Sequence, residues 1–539
     1  MKRYLLLAII LIASIVRLVH LTSVPALNAD EAALGYNAYS LLETGKDEHG
    51  NPWPIHFQSF NDYKPGLYVY MILPFVKFLG LTELAVRLPA VLLAISTVFV
   101  VYLLVREIER KSESSETKAL LAALLLAISP WHIHFSRGGW EVNVSTFFIT
   151  LGFLGLIKAS RNPKYFLLSA LSFVAAIYTY HAARIVIPLL GVGYIAFYPK
   201  AFTRSKAIKH IALSAFISLV LLVPLIFDIA SGAVYSRAAG VGLFADPGPL
   251  SRVNEQRGEH SNYLALDAKL FHNKPVNYGL AFASNWAEHY WGEFLFLSGE
   301  EIQRNRVPET GQMHMIEIVF VALGLYSCAR HLKDRRYLLW WLIVAPTAAA
   351  LTFQSPHALR AHNMVIPLSI ISALGLYEIT HLYRRGSLQK ALQAIVALVL
   401  VWSFARYLHM YYLYMPKEYP YSSQYGVKEL VHFVEDTSTK QVIVTDRYDQ
   451  PYILFLFYLK YPPVDFQNQH VLTAPDQYGF STVREFGRYR FESIEYDVDK
   501  SQYPGALLVG TNKEIPSEAN IIQTIYGMNG YPYFRVVQN

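Results

Sequence analysis

The chain has 539 residues, 53% of them hydrophobic and only 16% charged, whereas soluble domains carry about 25% charged residues. A bilayer is therefore the expected solvent for most of it. The formal charge of +7 does not indicate a nucleic-acid partner, because Lys and Arg fall in short clusters between apolar runs, where they encode membrane topology.

The N-terminus, Met1-Lys2-Arg3 followed by apolar Tyr4 to Val16, has the layout of a signal peptide, but Arg17 and His20 interrupt the small-residue cleavage site. An uncleaved first span is expected. Segments apolar enough to cross about 30 Å as helices fall near 4–22, 84–105, 119–135, 142–157, 165–180, 185–199, 208–230, 314–331, 337–353, 363–383 and 389–410. Lys2/Arg3, Arg106 to Lys118, Lys158 to Lys164, Lys200 to Lys209, Arg330 to Arg336 and Arg384 to Lys390 form one alternating set of connections. These basic loops are expected to be cytoplasmic, with the N-terminus among them, in the plasma membrane.

The opposite set faces outward: residues 23–83, the turns near Pro130, His181 and Pro356, the stretch 231–313, and everything after about 411. Gly66 to Leu79 is too short for a comfortable span and is expected to be re-entrant or interfacial. The stretch 231–313 is rich in Gly, Pro, Asn and aromatic residues, as in a partly ordered cap over a membrane cavity.

The tail changes character, with helix-like Val427 to Val434 and Pro451 to Tyr461 and strand-like Val442 to Thr445, Ala506 to Gly510 and Tyr533 to Val537. The expected architecture is an α-helical polytopic membrane domain over residues 1–410, with about eleven spans, followed by a small extracytoplasmic α/β domain over 411–539. Cys328 is the only cysteine, which excludes an intrachain disulfide.

Asp30-Glu31 follows the outer end of the first span, where Asn28 or Asp30 can cap the amphipathic run Ala32 to Leu42. A cap also holds a carboxylate still, so capping and catalysis are compatible. Lys64 sits at the mouth of an apolar run, before Pro65, and can either snorkel or meet a lipid phosphate. His134 with Arg137, His181 with Arg184, and His357 with Arg360 and His362 all lie at outward boundaries, against the charge rule. A bound anion explains that placement, and pairing such as Arg137 with Glu141 is the structural alternative. Of these histidines only His357 and His362 have close ligand spacing, so neither a metal nor another cofactor is expected.

With these residues in place, the chain resembles the GT-C membrane glycosyltransferases, near the protein O-mannosyltransferases and the bacterial enzymes that add aminoarabinose to lipid A. Asp30-Glu31, Lys64-Pro65, Val86-Arg87-Leu88-Pro89-Ala90, and Arg360 followed by Val365-Ile366-Pro367-Leu368 carry the likeness. Gly66 stands where many relatives have a second proline, and the tail does not resemble the sugar-binding repeats of eukaryotic mannosyltransferases.

The resemblance implies transfer of a sugar from a polyprenyl-phosphate donor to a hydroxyl of a protein, glycolipid or wall polymer on the outer face. By the same resemblance Asp30 matches the catalytic carboxylate, and Lys64 and an outer-face arginine match phosphate ligands. Glu31 is expected to act with Asp30 in the catalytic site by orienting or hydrogen-bonding there, and Lys64, Arg137, His181, Arg184 and Arg360 are the candidates for binding the donor phosphate. An inverting single displacement is expected, since one base and one phosphate clamp suffice. The rivals are a transporter or flippase for a lipid-linked sugar, weakened by the lack of internal repeats, and a noncatalytic membrane assembly factor that binds through its tail.

Overall fold

A computed structural model describes residues 2–60, 62–202, 205–230, 240–382, 386–475 and 481–539. Asn61 of the Lys64 motif, Arg384 of one basic loop and the first nine residues of the 231–313 stretch lie outside the described residues. The chain divides into two compact units: Met1–Arg17 with Leu92–Ser136 and Glu141–Leu408, and Leu18–Val91 with Arg137–Trp140 and His409–Asn539. The last part of the second unit thus begins at His409, near the expected tail boundary, and the unit also takes in residues 23–83, the loop expected to be the first outer one.

Each of the eleven apolar segments contains helix. Among the described residues, by length and apolarity alone, five helices suffice to cross a membrane, or six if the bent pair Ser115–Ile128 and Pro130–Ser136 forms one span. Glu83–Ile108, with 26 residues, rises about 39 Å at about 1.5 Å per residue. Ser205–Ala230 and Ser387–His409 leave Phe216, Phe227, Leu398 and Trp402 exposed. Such a surface is stable against hydrocarbon and unfavourable against water, so the chain is a multi-pass membrane protein.

Within the first unit, the break at Ser129 bends the helix pair by 56°. Arg17, which disrupted the cleavage-site pattern in the sequence, is fully buried there. It donates to Ala127 O at 3.0 Å, Leu126 O at 3.4 Å and His132 Nδ1 at 2.7 Å. A cation thereby satisfies the last carbonyls of Ser115–Ile128 and complements the negative end of that helix. The 231–313 stretch, expected to be only partly ordered, carries helices Gly248–Gly258, Leu266–Phe271 and Lys274–Glu288. The last has Asn273 as N-cap, accepting from Val276 N–H, and Pro275 in its first turn, where no donor is lost.

Within the second unit, the tail forms a seven-stranded mixed sheet. Val442–Val444 is central and pairs in parallel with Tyr489–Phe491 on one side and Leu507–Gly510 on the other. Its three residues are all buried, as expected of a strand covered on both faces. Register puts Ile443 beside Leu508 and Leu508 beside Val537 on one face, where they pack with Ile494 and Ile515. The expected helices and strands of the tail are present. The short strands Val483–Phe486, Tyr489–Phe491 and Ile521–Tyr526 were not anticipated; their polar residues hide a half-buried pattern.

Gly324 of Glu317–Arg330 and Gly375 of Val365–Thr380 let these two helices of the first unit approach backbone to backbone. A Cβ on Gly324 would overlap Ile371 O, and one on Gly375 would overlap Phe320 O, which is the small-residue contact expected of membrane helices. Gly324→Leu and Gly375→Leu should each destabilise the protein by about 1–3 kcal/mol or more, read as a lower thermal unfolding midpoint in detergent. Wild-type midpoints for both would contradict this packing.

Candidate functional site

The helix Ala29–Thr44 starts with a capping box. Asn28 Oδ1 accepts from Glu31 N–H at 3.0 Å, and Glu31 Oε2 accepts in return from Asn28 N–H at 3.4 Å. Asn28 is therefore the cap, and Asp30 is left to point elsewhere. Two residues from the cap, Asp30 lies where the helix dipole favours negative charge. Its side chain remains 26% exposed, while that of Glu31 is fully buried.

Asp30 Oδ1 meets Lys64 Nζ at 2.5 Å. Lys64 is held by the hairpin of His56–Ser59 and Asp62–Pro65, where it pairs with Phe57, and its ammonium lies 5.3 Å from the Phe60 ring centre. Gly66 follows the hairpin, and a Cβ there would stand 2.7 Å from Ile55 O. Glycine at this position is thus favoured by a close backbone approach.

Glu31 has a different environment. Arg87 donates to both of its oxygens at 2.7 Å, and Gly139 N–H donates to Oε1 at 2.7 Å. Arg87 is itself saturated, donating to Leu21 O at 2.6 Å, Pro25 O at 2.9 Å and Ala26 O at 3.0 Å. This bidentate pair is dry and fully satisfied, so Glu31 positions the helix start. Gly139 can reach it because a Cβ there would meet Val86 Cγ1 at 2.9 Å.

Arg137, also fully buried, donates to Val24 O at 2.9 Å and lies 5.3 and 5.0 Å from the ring centres of Tyr411 and Tyr412. Ala29 N–H donates to Gln424 Oε1 at 2.6 Å. Asp30, Glu31, Lys64 and Arg137 therefore share the second unit, with Arg87, Gly139 and Gln424 as participants that had no assigned role in the sequence. Arg87 was open to discovery as one more arginine at the expected outer end of a span; Gly139 and Gln424 act through a backbone amide and a side-chain amide that no motif announces.

The first unit holds His181, Arg184 and Arg360, which line one cavity of about 400 Å³ with apolar Leu243, Phe244 and Leu351. Arg360 donates to Thr352 Oγ1 at 2.7 Å. The segment before it is pinned by Glu300, which accepts from Ala358 N–H and Asn305 Nδ2 and lies 3.5 Å from His357 Nδ1. Burial pushes the Glu300 carboxyl up to about 7. His134 Nε2 lies 2.9 Å from Arg304 O, and His362 Nδ1 lies 3.0 Å from Thr146 Oγ1. Among the described residues no three His, Cys, Asp or Glu side chains gather as a metal site.

Removing one member of the Glu31–Arg87 pair strands the other charge in the interior. Glu31→Gln and Arg87→Met should each cost about 3–5 kcal/mol, seen as a lower unfolding midpoint of the purified protein, with the double variant recovering part of the loss. A double variant less stable than either single would contradict a coupled pair.

Residues 63–227 match the family model described as dolichyl-phosphate-mannose-protein mannosyltransferase, a stretch that includes Lys64, Arg87, Arg137, His181 and Arg184. A search of curated proteins returns no match. Among solved structures, the chain is similar to ArnT from Cupriavidus metallidurans bound to undecaprenyl phosphate, with a TM-score of 0.53 and 11% identity over 98% of this chain and 97% of that one. It is also similar to the oligosaccharyltransferase AglB from Archaeoglobus fulgidus, in complex with an inhibitory peptide and a dolichol-phosphate, with a TM-score of 0.50 and 14% identity. That match covers 85% of this chain and 63% of the length of AglB. At such identities the likeness is one of fold, and the fold of this chain is that of the GT-C membrane glycosyltransferases.

Proposed function

We propose that the protein is an inverting glycosyltransferase that moves a sugar from a polyprenyl-phosphate donor to an acceptor hydroxyl on the outer face of the plasma membrane. One observation carries this reading: a partly exposed carboxylate, Asp30, held at a helix N-terminus against Lys64 and braced from below by the buried Glu31–Arg87 pair. The family match over residues 63–227 and the fold shared with ArnT and AglB support it.

The chemistry follows from the donor. A polyprenyl tail does not leave the bilayer, so the sugar phosphate must be met at the interface, in a protein built into the membrane. Asp30 takes the proton of the acceptor hydroxyl as its oxygen bonds to the anomeric carbon. The bond from that carbon to the phosphate oxygen breaks on the opposite face, and polyprenyl phosphate leaves with the electron pair. Positioned general-base catalysis contributes about 10²–10⁴ in rate, or roughly 3–5 kcal/mol of barrier. Lys64 stabilises the charge on the departing phosphate, and Glu31 fixes the carboxylate beside it without reacting.

The cavity lined by His181, Arg184 and Arg360 combines cations with an apolar wall. We assign to it an anionic lipid headgroup, with the arginines as hydrogen-bonding partners. Arg137, enclosed by Val24 and two tyrosine rings, keeps a structural role in this reading. No step calls for a metal or cofactor.

Asp30→Asn preserves shape and removes the base. Purified full-length protein with a labelled polyprenyl-phosphate sugar and a cell-envelope extract as acceptor source should lose at least about 100-fold in turnover, with its unfolding midpoint unchanged. Near-normal release of polyprenyl phosphate by this variant would reject the assignment, and a wild-type protein that relocates the donor with its sugar still attached would indicate a flippase.

The two cation groups should separate by what they bind. Lys64→Ala is expected to lower kcat, whereas Arg184→Ala and Arg360→Ala should weaken binding of an anionic lipid to the first unit's cavity, titrated in detergent, by about 10–100-fold, the scale of one charge-assisted hydrogen bond. Unchanged lipid affinity in both arginine variants would remove the lipid from that cavity.

A further inference from the structure

The sheet domain of the second unit carries a cavity that the transfer chemistry does not use. Its volume is about 420 Å³, and its lining is aromatic, amide-bearing and cationic together. Tyr421 and Tyr448 stack with ring centres 5.3 Å apart at 10°, and Tyr533 meets Tyr421 edge-on at 4.0 Å, which fixes the wall. Tyr531 is exposed and its hydroxyl accepts from Asn512 Nδ2 at 2.7 Å.

The cationic end is built from beneath. Glu514, with a side chain only 1% exposed, accepts from Arg447 Nε at 2.8 Å. It also accepts from the Thr511 amide and hydroxyl, each at 2.8 Å, and from Thr445 Oγ1 at 2.9 Å. Desolvation would raise the Glu514 carboxyl, yet these hydrogen bonds outweigh it and hold the group below its ordinary range. A buried anion therefore fixes the guanidinium through Nε. Among the described residues the two terminal nitrogens of Arg447 make no hydrogen bond, and Lys513 beside it makes none either.

We infer that this cavity binds an acidic carbohydrate chain, with sugar rings packed on Tyr531 and Tyr421 and a carboxylate received by Arg447 and Lys513. Tyrosine faces offer rigid apolar area to the C–H face of a sugar, Asn512 and the tyrosine hydroxyls match its hydroxyl groups, and a guanidinium held through Nε presents its remaining donors to an anion. A purely apolar ligand would leave these donors unpaired, and a neutral sugar would leave two cations unused.

The chain connects this cavity to the carboxylate site. Three residues after Tyr421, Gln424 accepts from Ala29 N–H and donates to Asp449 O, next to Tyr448. Ala29 directly precedes Asp30. The cavity is thus an acceptor subsite, an assignment that rests on the glycosyl transfer proposed above; the binding itself does not.

The test is isothermal titration of the full-length protein in detergent with oligogalacturonate and with a maltooligosaccharide of equal length. The acidic oligomer should bind, more weakly as salt rises, and Tyr531→Ala and Lys513→Ala should each weaken it about tenfold at unchanged unfolding midpoints. Tyr531→Phe should retain most of the binding. No binding, equal or stronger binding of the neutral oligomer, or insensitivity to both alanine variants would overturn the proposal. Asp30→Asn protein should bind the acidic oligomer as wild type does, so failure of transfer and failure of this site are read separately.

Discussion

The second unit depends on one buried ion pair. Glu31 and Arg87 are taken wholly out of water, which is costly unless every remaining donor and acceptor is met. Here it is met by main chain: Asn28 and Gly139 amides on the acid, and the Leu21, Pro25 and Ala26 carbonyls on the base. The pair thereby pins the loop after the first span, the start of Ala29–Thr44 and the Gly138-Gly139 turn to one place. Asp30 inherits that rigidity while keeping access to solvent, and its neighbour takes the structural role.

Burial divides the acidic dipeptide into two functions by helix geometry. Consecutive residues on a helix point about 100° apart, so when one faces the interior the next need not. The basic partners divide in the same way: Arg87 forms a two-pronged bond in a fully buried setting, and Lys64, held near the end of a hairpin, meets the partly exposed Asp30 with a single ammonium contact. The planar guanidinium suits the first task and the compact point charge the second.

The membrane character was legible in composition, because long apolar runs are a signal averaged over many residues. The tail's central elements were also legible: Val442–Val444 and Leu507–Gly510 are unbroken apolar strands, and Pro451–Leu459 is too long and apolar to be a turn. Val483–Phe486 and Ile521–Tyr526 escaped notice because polar residues interrupt them, although each pairs with the next strand in the chain. At the site, Asp30 and Lys64 could be singled out from charge at an expected interface. The partnership of Glu31 with Arg87 joins residues 56 positions apart, and the Gln424 contact spans 395, distances over which no local pattern reports.

Beyond Gln424, the tail is stitched to the stretch from Tyr36 to Glu83 by Tyr36 on Tyr461 O, by Gln467 on Asp47 O, and by Lys428 on Glu83. The second unit is therefore discontinuous in sequence, with Leu18–Val91, Arg137–Trp140 and His409–Asn539 forming a single compact body. Such a body changes as a whole: exchanging the terminal domain for a foreign one, by recombination or by engineering, would require the matching loop to travel with it.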